Sequence, residues 1–188
     1  MELFISLGME MGSWIETTKR LFFTKEERKY YIMLKGEKKE LSVDEYNLWI
    51  LGQEATFTPE RASEHLRKDM DFIEKQLEKM AEKGFIVFWK ADIVTKLDLY
   101  TLTPRGNAGM VNEIGYQTLI SHANAKPEAV DTLTHQLWMC SNGAIPLSNV
   151  ALAVKDGVGC SQEEIEKGLY ASIPLLIRLG LAVLNPKT

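Results

Sequence analysis

The chain of 188 residues carries the same order of parts twice, and a repeat constrains a fold more than local propensity does. Each copy contains an apolar helix with a Leu-Trp pair, a turn, a short helix, a longer helix ending in glycine, and a hydrophobic strand. The long helices align without a gap, with identical spacings of 4, 3 and 4 in Ile73, Leu77, Met80, Gly84 and in Leu169, Ile173, Leu176, Gly180. The repeat predicts two small helix-turn-helix units in tandem, each closed by a strand.

Composition limits the class of protein. The hydrophobic fraction of 45% is ordinary for a globular chain, and a net charge of −4 argues against a surface coated with basic residues, although not against a local basic patch. Cys140 and Cys160 lack the number and spacing of a disulfide framework or a zinc site. No apolar run is long enough to span a membrane, and the N-terminus lacks the basic region of a secretory signal. We therefore expect a cytoplasmic protein without membrane partner, metal or cofactor.

The sequence divides into four segments. Residues 1–40 read as an N-terminal basic arm, with Trp14, Ile15, Leu21 and Phe22 at helical spacing, followed by a strand at 30–34 and a turn. Residues 41–106 form the first unit, and residues 130–188 form the second unit with a truncated wing. Residues 107–129 are expected to hold a connecting helix and a linker, on the spacing of Met110, Ile114, Leu119 and Ile120.

Local signals place the helices of the first unit. Ser42 and Glu45 form a capping box, and Thr58-Pro59 combines an N-cap residue with proline at the first helical position. A third helix over about residues 68–83 should end at Gly84. Residues 85–89 and 97–103 then read as two strands, joined by a polar wing tip.

The second unit carries fewer such signals. Its first helix is expected over about residues 130–140 and a short helix from Ser148, followed by a glycine-rich loop at 156–160. Ser161 and Glu164 form another capping box, and Pro174 should kink the last helix. Residues 181–185 read as a final strand.

The first unit resembles the DNA-binding core of MarR-like and PadR-like transcriptional regulators. The matching positions close helix three and the wing, and they are Leu77, Met80, Gly84, Phe85, Ile86, Leu102, Thr103, Pro104, Arg105 and Gly106. The resemblance covers about a third of the chain and implies tandem winged helix-turn-helix units, in a mostly α protein with small β-wings of the α+β class. The same fold also serves protein contacts, including leader-peptide recognition modules.

The resemblance implies a regulator that binds double-stranded DNA through helix three and the wing of the first unit, as a homodimer. The expected contacts are Lys68, Lys75, Gln76 and Lys79 on or beside the helix, and Lys90, Lys96 and Arg105 around the wing. The commoner use of this frame favours DNA by analogy. Against it, Asp69 and Asp71 lie at the start of the helix, where their carboxylates would repel phosphate.

The alternative is a non-enzymatic adaptor or regulator whose units bind a protein or peptide. Acidic helix starts and the truncated second wing favour it, and the apolar run at 171–184 reads as core or as a partner surface. An enzyme is not expected, because His65, His122 and His135 lie far apart along the chain. The glycine-rich residues 156–159 lack the lysine and hydroxyl residue of a phosphate-binding loop.

Overall fold

The computed structural model describes residues 2–20, 23–110, 116–122 and 126–187. The first half of the chain contains a strand, a three-stranded sheet, three helices and a closing strand. These elements are β1 (Leu3–Ser6), β2 (Met9–Arg20), β3 (Phe23–Leu34), β4 (Glu37–Leu41), α1 (Val43–Gln53), α2 (Pro59–Leu66), α3 (Met70–Glu82) and β5 (Ile86–Trp89).

A 3-10 helix (Ala91–Leu99) leads into the second half, which repeats this order. Its elements are β6 (Tyr100–Pro104), β7 (Asn107–Ala108), β8 (Gln117–Ile120), β9 (Pro127–Val130), α4 (Thr132–Cys140), α5 (Leu147–Val158), α6 (Gln162–Arg178) and β10 (Ala182–Pro186). In the structure, the first unit comprises β1–β5 and the second unit β6–β10, with the helices between these strands included. These bounds differ from the segments 41–106 and 130–188 named from the sequence.

The strand pairing contradicts the expected tandem winged-helix arrangement. A wing needs β5 and β6 to pair with each other, but β5 pairs antiparallel with β1, and β6 pairs antiparallel with β10. The remaining strands form the three-stranded antiparallel sheets β2-β3-β4 and β7-β8-β9. Within the described ranges the chain is therefore an α+β fold with four small sheets, rather than a mostly α protein with small wings. The 3-10 helix separates the two strands that were expected to form the hairpin.

The two long helices end in the same way, as their alignment predicts. The N–H of Phe85 donates to the carbonyl of Met80, and the N–H of Leu181 donates to the carbonyl of Leu176, both at 2.8 Å. Gly84 and Gly180 precede these residues with φ angles of 71° and 67°, a left-handed conformation that glycine adopts without strain. This ending turns the chain from helix into strand in both units.

The repeated Leu-Trp pair closes the core of each unit. Trp49 and Trp138 lie on α1 and α4, and both rings are buried. The indole N–H of Trp49 donates to the Leu7 carbonyl at 3.0 Å, and that of Trp138 donates to the Leu181 carbonyl at 2.7 Å. Both acceptors lie where the first and last strands of a unit meet. A buried tryptophan N–H needs such a partner, and here the bond fixes the first helix to the sheet.

The N-terminal arm is a β-hairpin and not a helix. Strands β2 and β3 pair antiparallel with one irregularity between Glu10 and Gly12, and Trp14 lies opposite Lys29 and Ile15 opposite Arg28. Strand β4 pairs only with residues 30–34 of β3, so the outer part of the hairpin is a two-stranded ribbon. The helical spacing of a few apolar residues misled the prediction, because the segment is rich in β-branched and aromatic residues. Of the four residues that suggested a helix, Leu21 and Phe22 lie outside the described residues.

In the described part of 107–129, strands β7, β8 and β9 are found instead of the expected connecting helix. Leu119 is buried on β8, opposite Glu128 of β9, whereas Met110 lies outside regular structure and is exposed. Ile114 and part of the expected linker, residues 123–125, lie outside the described residues. This small sheet holds the place in the second unit that β2-β3-β4 holds in the first.

Most local signals are confirmed, with shifted boundaries. Both capping boxes form, and Thr58 caps α2 with Pro59 at its first turn. Helix α5 extends to Val158, so residues 156–158 belong to a helix rather than a loop, and Gly159 ends it with φ 73°. The strand expected at 97–103 begins at Tyr100. None of the helices in the described part of the chain combines the length and apolarity that a membrane span requires.

Candidate functional site

Helix α3 presents its predicted polar face to solvent. Ile73, Leu77 and Met80 are buried, whereas Lys75 and Lys79 are exposed and Gln76 is half-buried. The exposed surface of the same helix also carries four carboxylates, on Asp71, Glu74, Glu78 and Glu82. The helix therefore places cations and carboxylates side by side, which weakens its attraction for a phosphate backbone.

Three of the other predicted contacts are held in ion pairs. They are Lys68 with Asp44 at 3.8 Å, Lys90 with Glu2 at 2.6 Å, and Lys96 with Asp92 at 3.5 Å. Lys90 follows β5, whereas Lys96 lies within the 3-10 helix. Since no wing hairpin joins β5 and β6, the fold gives these two lysines no common wing tip.

Arg105 lies apart from these lysines, in a cavity of about 430 Å³ between the two units. We call it the inter-unit cavity. Met9 and Met33 of the first unit and Thr103 and Arg105 of the second are among the residues that line it. The sequence pattern places Arg105 beside a wing, and it contains no signal that the β3–β4 turn meets β6 and β10 here.

A second concave surface lies between the start of α2 and the outer side of α6. We call it the α2–α6 groove, with a volume of about 440 Å³ and a lining that includes Leu3, Ala55, Arg61, Ala171, Leu175 and Arg178. The lining is mostly apolar. Helix α6 supplies it because Ile173, Leu176 and Ile177 face the core, which leaves Ala171 exposed and Leu175 half-buried on another side.

Arginines supply the charge of the α2–α6 groove. The guanidinium of Arg61 donates to the carbonyl of Thr56 at 2.9 Å and lies 5.3 Å from the ring centre of Phe57. Arg178 is exposed in the last turn of α6. Within the described part of the chain, no aspartate or glutamate lines the groove. An apolar surface with this charge complements an apolar segment that carries a carboxylate.

Pro174 fixes one wall of the groove to the first unit. Proline has no N–H, so the carbonyl of Tyr170, four residues earlier in α6, loses its helical donor. The indole N–H of Trp89 donates to this carbonyl at 3.0 Å, and the rings of Trp89 and Tyr170 stack with centres 6.3 Å apart. The sequence predicted a kink at Pro174 but not this bond between the units.

Two buried titratable groups lie outside both surfaces. Burial alone would raise the pKa of Glu45, but hydrogen bonds from Lys83 and Ser42 outweigh it and hold that pKa below its ordinary value. Burial lowers the pKa of His135, whose Nδ1 has no hydrogen-bond partner in the described part of the chain. No group of three or more histidine, cysteine, aspartate or glutamate side chains converges on a metal-sized position among the described residues.

Comparisons of the chain with protein-family models, with curated proteins and with solved structures found no match.

Proposed function

We propose that this chain is a non-enzymatic adaptor that binds a protein partner through a peptide segment held in the α2–α6 groove. The observation that carries the proposal is the groove itself, a mostly apolar concave surface whose described lining includes Arg61 and Arg178 and contains no acidic residue. Peptide-binding grooves commonly combine apolar anchoring with a few placed polar or charged contacts. A cytoplasmic location and a homodimeric state stay predictions from sequence.

The bound segment is expected to carry apolar side chains and at least one aspartate or glutamate. The apolar side chains would lie against Leu3, Ala55 and Leu175, and the carboxylate would meet the guanidinium of Arg178. Arg61 is already engaged with the Thr56 carbonyl, which leaves Arg178 as the better placed partner. Arginine suits this role because its planar fork can donate two hydrogen bonds to one carboxylate.

The DNA-binding hypothesis has less support. Lys68, Lys90 and Lys96 are ion-paired, Arg105 lies in the inter-unit cavity, and the exposed surface of α3 carries carboxylates beside Lys75 and Lys79. Gln76 is half-buried, which limits its reach towards a base edge. Double-stranded DNA remains the competing partner in the test.

The test begins with selection of random peptides on the purified 188-residue chain, followed by fluorescence polarisation with the selected sequences. We expect enrichment of peptides that combine apolar residues with aspartate or glutamate. Ala171→Glu, which places bulk and negative charge in the groove, and Arg178→Gln should each weaken binding by about tenfold, or roughly 1.4 kcal/mol. Ala171 is exposed, so its replacement should leave the core intact.

The matched control is Ala153→Glu, since Ala153 is exposed on α5 and does not line the groove. Equal binding to the wild type and to Ala171→Glu would refute the groove as the site. Anisotropy with mixed duplex DNA at roughly 50 mM and 200 mM salt tests the competitor. The adaptor proposal would give way to a DNA-binding regulator on two results. DNA binding would have to fall steeply with salt, and it would have to be lost in the double variant Lys75→Glu, Lys79→Glu at unchanged Tm.

A further inference from the structure

We infer that the inter-unit cavity is a binding site for a small organic anion, with a phosphate or carboxylate group and an apolar part. This site is separate from the α2–α6 groove and does not depend on the adaptor proposal. Among the residues that the structure describes, the cations Lys35, Arg105 and Lys187 line the cavity, and no aspartate or glutamate does. Because the chain as a whole carries a net charge of −4, this local excess of positive charge runs against its composition.

None of these three cations has a carboxylate partner within the described ranges. The Nη2 of Arg105 donates to the sulfur of Met9 at 3.6 Å. A thioether is a weak acceptor and leaves most of the five N–H donors of arginine unused. Elsewhere in the structure Lys68, Lys83, Lys90 and Lys96 are paired with acids. All three cations are exposed, so solvent screens them in the free chain, and a bound anion would give them a counter-charge.

The backbone holds two of these cations in place from the second unit. The N–H of Arg105 donates to the carbonyl of Leu181 at 2.7 Å, directly after β6. The N–H of Lys187 donates to the carbonyl of Leu99 at 2.7 Å, directly after β10. Both side chains therefore start from fixed points on the β6–β10 sheet, which limits the ordering needed when an anion binds.

Lys35 reaches the cavity from the first unit, through a strained turn. Lys35 and Gly36 form the two-residue turn between β3 and β4, with φ angles of 53° and 78°. A two-residue hairpin turn with both φ angles positive favours asparagine or aspartate followed by glycine, whereas a lysine at the first position is disfavoured. The turn thus holds a cation where local stability would favour asparagine. Such strain is expected where a side chain serves a ligand.

The rest of the lining fits the other parts of the ligand. The Nδ2 of Asn185 donates to Oγ1 of Thr103 at 3.0 Å, so the hydroxyl hydrogen of Thr103 can be donated to an anion. Met9, Met33 and Val183 offer apolar surface to the remainder of the molecule. A volume of about 430 Å³ is within the range of small-molecule sites.

Binding would also connect the two units, because the cations come from both. The anion would contact Lys35 of the first unit together with Arg105 and Lys187 of the second. A ligand that binds only the folded chain raises its Tm by mass action. We therefore expect both a binding signal and a Tm increase from a suitable probe.

The experiment uses isothermal titration calorimetry and thermal unfolding of the full chain with phenyl phosphate and phenylacetate as probes. Inorganic phosphate and phenol serve as the separate halves of phenyl phosphate. We expect at least one intact probe to bind more tightly than either half, and the stronger of the two probes identifies the anionic group. Arg105→Gln should weaken that binding about tenfold, whereas Arg28→Gln, which removes an exposed arginine of β3, should not.

A second variant separates a binding role of Lys35 from a structural one. Lys35→Asn places a favoured residue in the turn, so it should raise the Tm of the unliganded chain and weaken the probe at least fivefold. The inference is overturned if neither intact probe binds, or if Arg105→Gln and Lys35→Asn both bind as the wild type does. Peptide binding that survives Arg105→Gln, and probe binding that survives Ala171→Glu, would show that the two sites are independent.

Discussion

His135 is a buried side chain whose protonation opposes folding. It lies on α4 with 9% of its surface exposed, and its Nδ1 has no hydrogen-bond partner among the described residues. Burial disfavours the charged imidazolium and lowers the pKa below its ordinary value of 6.5. The unfolded chain therefore binds the proton more readily than the folded chain does. The stability that neutral His135 contributes is full above pH 6.5, and it falls as the pH drops from 6.5 towards the folded-state pKa.

We predict that the free energy of unfolding, measured with urea, falls between about pH 7 and pH 5, and falls less in His135→Leu. Leucine has no titrating group and removes the unpaired nitrogen from the core. The control is Leu152→Ala, since Leu152 is exposed on α5 and carries no titrating group, so this variant should keep the pH profile of the wild type. The pKa of Glu45 is lowered from 4.5, so the stability that its carboxylate contributes is lost at pH values below those of this measurement. Identical pH slopes in the wild type and His135→Leu would contradict the prediction.

At the scale of the elements, the sequence predicts what is decided within one turn of the chain. The capping boxes at Ser42 and Ser161 form as expected, because each depends on residues three positions apart. The spacing of Ile73, Leu77 and Met80 also places the buried side of α3 correctly. Each of these signals depends only on residues close together in the chain, so a single sequence is enough to predict them.

Strand pairing could not be predicted in the same way. The sequence predicts strand β5, but its partner β1 lies some eighty residues earlier in the chain. The next strand along the chain, β6, was the more obvious partner for a hairpin. The sequence predicts helices where Trp14, Ile15 and Leu119 lie on strands. A few apolar residues fit the helical period of 3.6 and the strand period of 2 equally well. The two candidate sites follow from these pairings. Lys35, Arg105 and Lys187 share a cavity only once β6 and β10 pair beside the β3–β4 turn.

The equivalence of α3 and α6 leads to a prediction at this scale. Leu77 and Ile173 hold the same position, seven residues before the closing glycine, and both are fully buried. Leu77→Ala and Ile173→Ala should each reduce the free energy of unfolding in urea by about 2–5 kcal/mol, through lost burial and a residual cavity. Leu152→Ala is the control, because Leu152 is 56% exposed on α5 and should cost no more than about 0.5 kcal/mol. A near-neutral Ile173→Ala would show that α6 does not pack as α3 does.

At the scale of the whole molecule, the two units share one core and are joined by specific bonds. The N–H of Gly8 in the first unit donates to the carbonyl of Leu184 in the second at 3.0 Å. The buried residues of both units form a single hydrophobic cluster. The α2–α6 groove and the inter-unit cavity both lie where the units meet, so the integrity of this contact determines both candidate sites.

The bond from Trp89 to the Tyr170 carbonyl gives the sharpest test of that contact. Trp89→Phe leaves the carbonyl without a donor and should cost about 1–3 kcal/mol. In a Pro174→Ala background the same change should cost about 1 kcal/mol less, because the N–H of the new alanine can donate to the Tyr170 carbonyl within α6. Urea unfolding of the wild type, both single variants and the double variant measures this coupling. The control is Trp49→Phe, which removes the indole N–H that donates to the Leu7 carbonyl. Its effect on the free energy of unfolding should be additive with that of Pro174→Ala. If the effects of Trp89→Phe and Pro174→Ala on the free energy of unfolding add within about 0.5 kcal/mol, then the proline is not the reason that the Tyr170 carbonyl accepts the bond between the units.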